Sequence, residues 1–199
     1  MKFRYITIER EYGSGGTQIA RLLAERTKIP CYGREILEEV SRENDISVEK
    51  IERYEESVTN SFLYSVYMMT QTVSGNTDMM TGNGHIYVAE QAVIRRLAAG
   101  GPAIFLGHCA SEALREQDGV IKVFIRCTDE EAKRQRITGA YGIPEAQADV
   151  VRRKFDKKRA NYYYVNTVKK WDDFRNYDLV LDSGRLGVEV CVDILGTIL

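Results

Sequence analysis

Ile6 to Leu23, read ITIEREYGSGGTQIARLL, is the stretch that decides the fold. Ile6 and Ile8 lie in a short β-prone run, and Gly13-Ser14-Gly15-Gly16 then forms a loop with almost no Cβ obstruction. From Thr17 the apolar residues Ile19, Ala20, Leu22 and Leu23 recur at helical spacing. Strand, glycine loop and helix in that order suit the cradling of a phosphate. Glycines let successive backbone N–H groups turn inward, and the helix N-terminus adds partial positive charge. Thr17 is expected either to cap that helix or to offer its hydroxyl to Mg²⁺.

The match to the phosphate-loop pattern G-x-x-x-x-G-K-[ST] is incomplete. In the register that ends at Gly15-Gly16-Thr17, Arg10 stands at the first glycine and Gly16 at the lysine. The cation that should reach the β- and γ-phosphates is missing from its usual position. A structural turn before a helix is the competing reading of the same residues.

The 199 residues suit one α/β domain, and apolar content of 44% with 29% charged residues is ordinary for a globular protein. A formal net charge of −1 offers no whole-chain reason to expect nucleic-acid or membrane binding. Cys31, Cys109, Cys127 and Cys191 are far apart and lack metal-ligand spacing, so they read as small buried hydrophobes in a reducing cytosol. No apolar run approaches the ~18 residues of a membrane span, and Met1 leads almost directly into a strand; a cytoplasmic protein is expected.

Working outward, Phe3 to Ile8 is expected to be the central strand, followed by a helix from Thr17 to Thr27. A short strand ends at Cys31-Tyr32, and a helix over Glu35 to Glu43 turns Ile36, Leu37 and Val40 to one side. Ser47 is placed to cap another helix. Residues 54–85 are harder to read: Phe62 to Met69 suggest a helix whose Tyr and Met stripe is core or a subunit contact, and SGNTDMMTGNG suggests a mobile loop. Ile86 to Ala98 reads as a helix with Val88, Ala92, Ile94 and Leu97 recurring. Pro102 to Leu106 is an unalternating apolar run, as in a buried parallel strand, and Gly107-His108 follows where such sheets place ligands. A short helix over Ala110 to Arg115, a strand over Val120 to Ile125, a helix over Asp129 to Arg136, a basic helix over Glu145 to Arg159, a strand over Tyr177 to Leu181 and a helix over Val188 to Ile198 complete the chain. This alternation predicts a three-layer α/β fold with a parallel sheet.

The basic helix is the second informative feature. Arg152, Arg153, Lys154, Lys157, Lys158 and Arg159 cluster in eight residues, Asp156 sits among them, and Tyr162-Tyr163-Tyr164 follow. A solvated helix face is the ordinary fate of such a run. Arginine, however, suits bidentate phosphate contacts, and phosphoryl transfer needs positioned positive charge. An Arg-rich lid hinged near Gly139 and Gly142 is therefore expected. Its arginines 152, 153 and 159 would supply the missing cation, with Arg10 as a fourth candidate.

Several segments together resemble the cytidylate kinase-like proteins of the nucleoside monophosphate kinase fold. They are REYGSGG, AIFLGHCASEAL, VFIRCTDEEAKRQR, VRRKFDKKRANYY and YDLVLDSGRLGVEVCVDIL. The resemblance implies a phosphate-loop kinase core over 1–33, 86–136 and 165–199, an acceptor-side helical insertion over 34–85 and a basic lid over 137–164. It implies ATP and Mg²⁺ as cofactors, with Gly13, Ser14, Gly15, Gly16 and Thr17 cradling the donor phosphates and Thr17 near the metal. Arg134 and Arg136 would lie near the donor base. Arg152 or Arg153 and Arg159 would close on the transferring phosphoryl, oriented by Asp156. Arg34 would approach the acceptor phosphate, beside Gly107 and His108.

CMP or dCMP is the implied acceptor. His108 stands where the family pattern implies Arg, and Gly33 where an Asp is implied, so these residues do not themselves specify cytidylate. Three readings stay open: an ATP-dependent kinase of a small phosphate-bearing acceptor, a nucleotide-binding homologue without turnover, and a nucleic-acid-binding module. The first implies neither nucleic-acid nor membrane partners and leaves room for a homodimer.

Overall fold

The computed structural model describes residues 3–52 and 84–199. Five parallel strands, β1 (Tyr5–Arg10), β2 (Cys31–Tyr32), β3 (Ala103–Leu106), β4 (Val120–Arg126) and β5 (Leu179–Asp182), lie in the order β2-β3-β1-β4-β5. β1 is central as expected, pairing Ile6 with Ile104 on one side and with Ile121 on the other.

Alternate strand residues feed two cores, which is why β3 is apolar throughout. Ile6, Ile8, Ile104, Val123 and Ile125 pack beneath helices α1 (Gly16–Thr27) and α8 (Val188–Gly196) through Ile19, Leu23, Val192 and Leu195. On the opposite face Tyr5, Phe105 and Phe124 meet α2 (Arg34–Asn44), α3 (Gly84–Ala99) and α6 (Glu145–Thr167). The layers are thus helix, sheet, helix, in the phosphate-loop kinase arrangement.

Several details differ from expectation. Helix α1 starts at Gly16 and its N-cap is Gly15, with no side-chain cap, so Thr17 lies in the first turn and does not cap. In α3, Val88 and Ala92 are exposed, and the buried stripe runs through Ile86, Glu90, Val93, Ile94 and Ala98. Two polar residues on that stripe, Glu90 and Gln91, displaced the apparent apolar face. Helix α6 runs unbroken to Thr167, because Tyr162 and Tyr163 are buried and anchor its C-terminal half. Tyr177 precedes β5 and donates its hydroxyl to the Trp171 carbonyl (2.8 Å). The Ser47 cap holds, its hydroxyl accepting from Lys50 N–H (3.3 Å). Of the segment 54–85, the expected helix over Phe62 to Met69 and the loop as far as residue 83 fall outside the described residues, and Gly84, the last residue of that loop, instead opens α3.

A short helix α4 (Ala110–Ala113) follows β3. Between β4 and α6 come α5 (Glu130–Gln135), capped by the Asp129 carboxylate, and a π turn over Arg136–Ala140. Another short helix, α7 (Ser183–Leu186), follows β5. Among the described residues, no helix is long and apolar enough to cross a membrane.

Candidate functional site

The glycine loop hangs from the C-terminal end of β1, where open α/β sheets bind ligands. Gly13 and Gly15 have φ of +78° and +77°, the left-handed turns that roll the loop around its own backbone. The Ser14 hydroxyl donates to the Glu11 carbonyl (2.8 Å) and accepts from Gly16 N–H (3.3 Å). Ser183 buttresses the loop from the end of β5, its hydroxyl donating to the Ser14 carbonyl (2.5 Å). Arg136, carried by the π turn, donates to the Gly13 carbonyl (3.1 Å). An α-helix beginning at an uncapped glycine presents N–H donors to an anion, so these residues fit a nucleotide's phosphates, with the Thr17 hydroxyl in the first turn as a candidate Mg²⁺ ligand.

Helix α6 is latched onto this loop. Tyr12 N–H donates to Asp156 Oδ1 (2.6 Å), and Arg159 Nη1 donates to the Arg10 carbonyl (2.8 Å). Tyr12 stacks on Phe155 with ring centroids 4.6 Å apart and packs obliquely on Tyr141 at 5.1 Å. The Arg159 guanidinium lies 5.7 Å over the Tyr12 ring and 3.9 Å from Asp156. Burial pulls the Arg159 pKa down, with Asp156 and Glu9 opposing.

Beyond the loop opens a cavity of about 460 Å³ at the ends of β1 and β3. Arg10, Arg34, Lys158 and Arg159 line it, against the carboxylates Glu9 and Glu52. Glu9 also accepts from Trp171 Nε1 (3.1 Å). At the end of β3, Gly107, His108 and Cys109 all take positive φ, of +83°, +56° and +52°. Consecutive left-handed residues are strained, and such strain gathers at working sites. His108 lines the cavity with its Nδ1 4.0 Å from the fully buried Glu90, whose carboxylate also meets the Tyr162 hydroxyl.

The structure brings Gly13 to Thr17, Arg10, Arg136, Asp156 and Arg159 together around the loop, and Arg34, Gly107 and His108 around the cavity. Arg134 points instead at α6, pairing with Glu145 and Asp149 at 3.8 and 3.6 Å. Arg152 shares the Arg159 face of α6 but pairs with Glu130 (3.5 Å), and Arg153, one residue round the helix, is exposed. Sequence reasoning missed Tyr12, Glu9, Glu90 and Lys133. Lys133 is buried between Glu11 (3.0 Å) and Glu130 (3.1 Å), whose pull outweighs the effect of burial and raises its pKa. Glu90 was detectable: a carboxylate four residues from both Ile86 and Ile94 sits on the apolar stripe of its own helix.

Burial raises the pKa of Asp156 above the ordinary carboxylate value, against the Tyr12 N–H and Arg159, which lower it. A carboxyl with a higher pKa folded than unfolded takes up its proton more readily when folded. Its ionisation therefore subtracts stability as pH rises through the interval between the two values. Asp156→Asn keeps an acceptor for Tyr12 N–H and removes the charge. Its melting temperature near neutral pH is expected to equal or exceed that of the wild type, with a smaller loss between mildly acid and neutral pH. A variant less stable than wild type at neutral pH but not at acid pH would contradict this sign.

Two solved structures illustrate the likeness of the whole chain. An uncharacterized protein from Eubacterium ventriosum is 27% identical, with a TM-score of 0.70 over 96% of this chain and 94% of its own. A shikimate kinase from Bacteroides thetaiotaomicron, 11% identical, shares the fold with a TM-score of 0.51 over 98% of this chain and 97% of its own. None of the curated proteins matches in sequence. The cytidylate kinase-like family model matches residues 5–185, from the first residue of β1 into the helix after β5, and the chain belongs to that family.

Proposed function

We propose that the protein transfers the terminal phosphoryl group of ATP to a small phosphate-bearing acceptor, with CMP or dCMP the acceptor suggested by family membership. One observation carries the reading: a cavity that starts at Arg10, three residues before the glycine loop, is lined by four cationic side chains against two carboxylates. In this reading Gly13 to Thr17 bind the donor phosphates, and Arg34 and Lys158 draw in the acceptor's anionic group. Asp156 orients Arg159 toward the space between them, and Tyr12 with Phe155 keeps water from the loop. Mg²⁺, held through the Thr17 hydroxyl and the nucleotide, would neutralise phosphate charge. Positioning and charge neutralisation are what phosphoryl transfer chiefly asks of a protein. A reducing cytoplasm suits the four free cysteines.

A second reading, nucleotide binding without turnover, is favoured by Gly16 at the lysine position. Measuring ADP release over a panel of nucleoside monophosphates, with an acceptor-free control, separates the two. Acceptor-dependent ADP release is the expected result. ATP binding with no release on any acceptor would favour the second reading.

A further inference from the structure

The two departures from the phosphate-loop pattern are one structural event. A Cβ built on Gly16 would lie 2.6 Å from the Cβ of Arg10 and 2.9 Å from its Cγ. Approaches that short do not occur, and they involve the root of the arginine, which cannot swing aside. Any side chain at position 16, a lysine included, collides at its Cβ while an arginine stands at position 10.

From that root the Arg10 side chain runs toward the end of β3. Its Nη1 would lie 2.5 Å from a Cβ on Gly107, so the guanidinium head reaches the residue that follows β3. That head lines the cavity, and the Arg10 carbonyl is fixed by Arg159. The arginine thus runs from beside Gly16, at the start of α1, to the cavity beside Gly107.

We infer that Arg10 supplies the cation that position 16 lacks, delivered from the last residue of β1 instead of the first turn of α1. This rests on the reading of the loop as a nucleotide-phosphate site and adds the residue that recognises the terminal phosphate. Arginine brings a planar fork able to hold two oxygens at once, where lysine brings a point charge. Reaching the phosphates from the cavity side, the fork suits an acceptor that itself presents anionic oxygens. Arg10 and Gly16 then form a matched pair: an arginine and the glycine that accommodates its root.

The test uses the full chain as wild type, Arg10→Gly, Gly16→Lys and the double variant Arg10→Gly/Gly16→Lys. Calorimetry gives the dissociation constants of ATP and ADP, whose ratio isolates recognition of the terminal phosphate. Deleting a charge-assisted hydrogen bond to that phosphate should shrink the ATP preference about tenfold or more in Arg10→Gly, with ADP affinity changed much less. Gly16→Lys alone should lose thermal stability, because its Cβ meets Arg10. In the double variant the Arg10 clash is removed and only the 3.3 Å contact to Ile125 Cβ is left. With a lysine in the consensus position, it should regain stability and ATP preference relative to the respective single variants. An unchanged ATP-to-ADP ratio in Arg10→Gly would overturn the inference, as would a folded double variant no better than Arg10→Gly. A wild type that binds neither nucleotide would overturn the loop reading as well, and that failure is visible before any variant is compared.

Discussion

Arg159→Lys is expected to lower turnover by about 10²- to 10³-fold while changing ATP affinity only a few-fold. Lysine keeps a positive charge but loses the fork that lets Arg159 hold the Arg10 carbonyl at 2.8 Å while lying over Tyr12 and near Asp156. Charge is also less secure in a lysine there. Burial already pulls the Arg159 pKa down, and a lysine starts about two or more units lower. The guanidinium can absorb that desolvation and remain charged, and the ammonium has less margin. If Arg159 acts mainly as phosphoryl charge develops, the ground-state complex should barely notice the change. Single-turnover kinetics with saturating acceptor decides the matter. Equal rates in the two proteins would reject the proposed role, and a loss of affinity with the rate at saturation unchanged would assign Arg159 to binding alone.

Gly15→Val is expected to weaken ATP binding more than 100-fold, a loss of about 3 kcal/mol or more. Gly15 has φ of +77° and caps helix α1, a conformation that costs an L-residue about 1–2 kcal/mol and a β-branched one the most. A Cβ there would also stand 3.4 Å from Val188 Cγ2 and 3.5 Å from Arg136 Nε, before the two valine methyls are added. Strain and obstruction then act together, so the variant needs a partner that separates them. Gly15→Asn tolerates the left-handed conformation and still fills the loop. It should melt close to the wild type yet bind ATP poorly. Wild-type ATP affinity in Gly15→Val would remove the loop from the binding site.

Much of the architecture was legible in residue order. The apolar run of β3 has no polar alternation because both faces of a buried parallel strand are covered. The breaks after Thr27 and before Glu145 follow from proline, and the glycine loop between strand and helix has one common structural use. The basic run over 152–159 pointed to a charged element but not to its geometry. Helix phase puts Arg152 and Arg159 on one side and Arg153 on another, and only the packing of α6 shows which side meets the loop. The buried Tyr162 and Tyr163 carry that helix past the expected end at Arg159 to Thr167.

The sequence by itself determined the strand–loop–helix unit, the parallel α/β class and the absence of a lysine at position 16, because these depend on neighbours along the chain. Only the tertiary structure shows that Arg10 fills the space a side chain at position 16 would need. Strand order sets β3 beside β1, which brings Gly107 against the Arg10 guanidinium, and the turn into α1 brings Gly16 against the root of the same side chain. Spacing along the sequence reports periodicity, whereas such an exclusion of volume exists only once distant segments have been packed together.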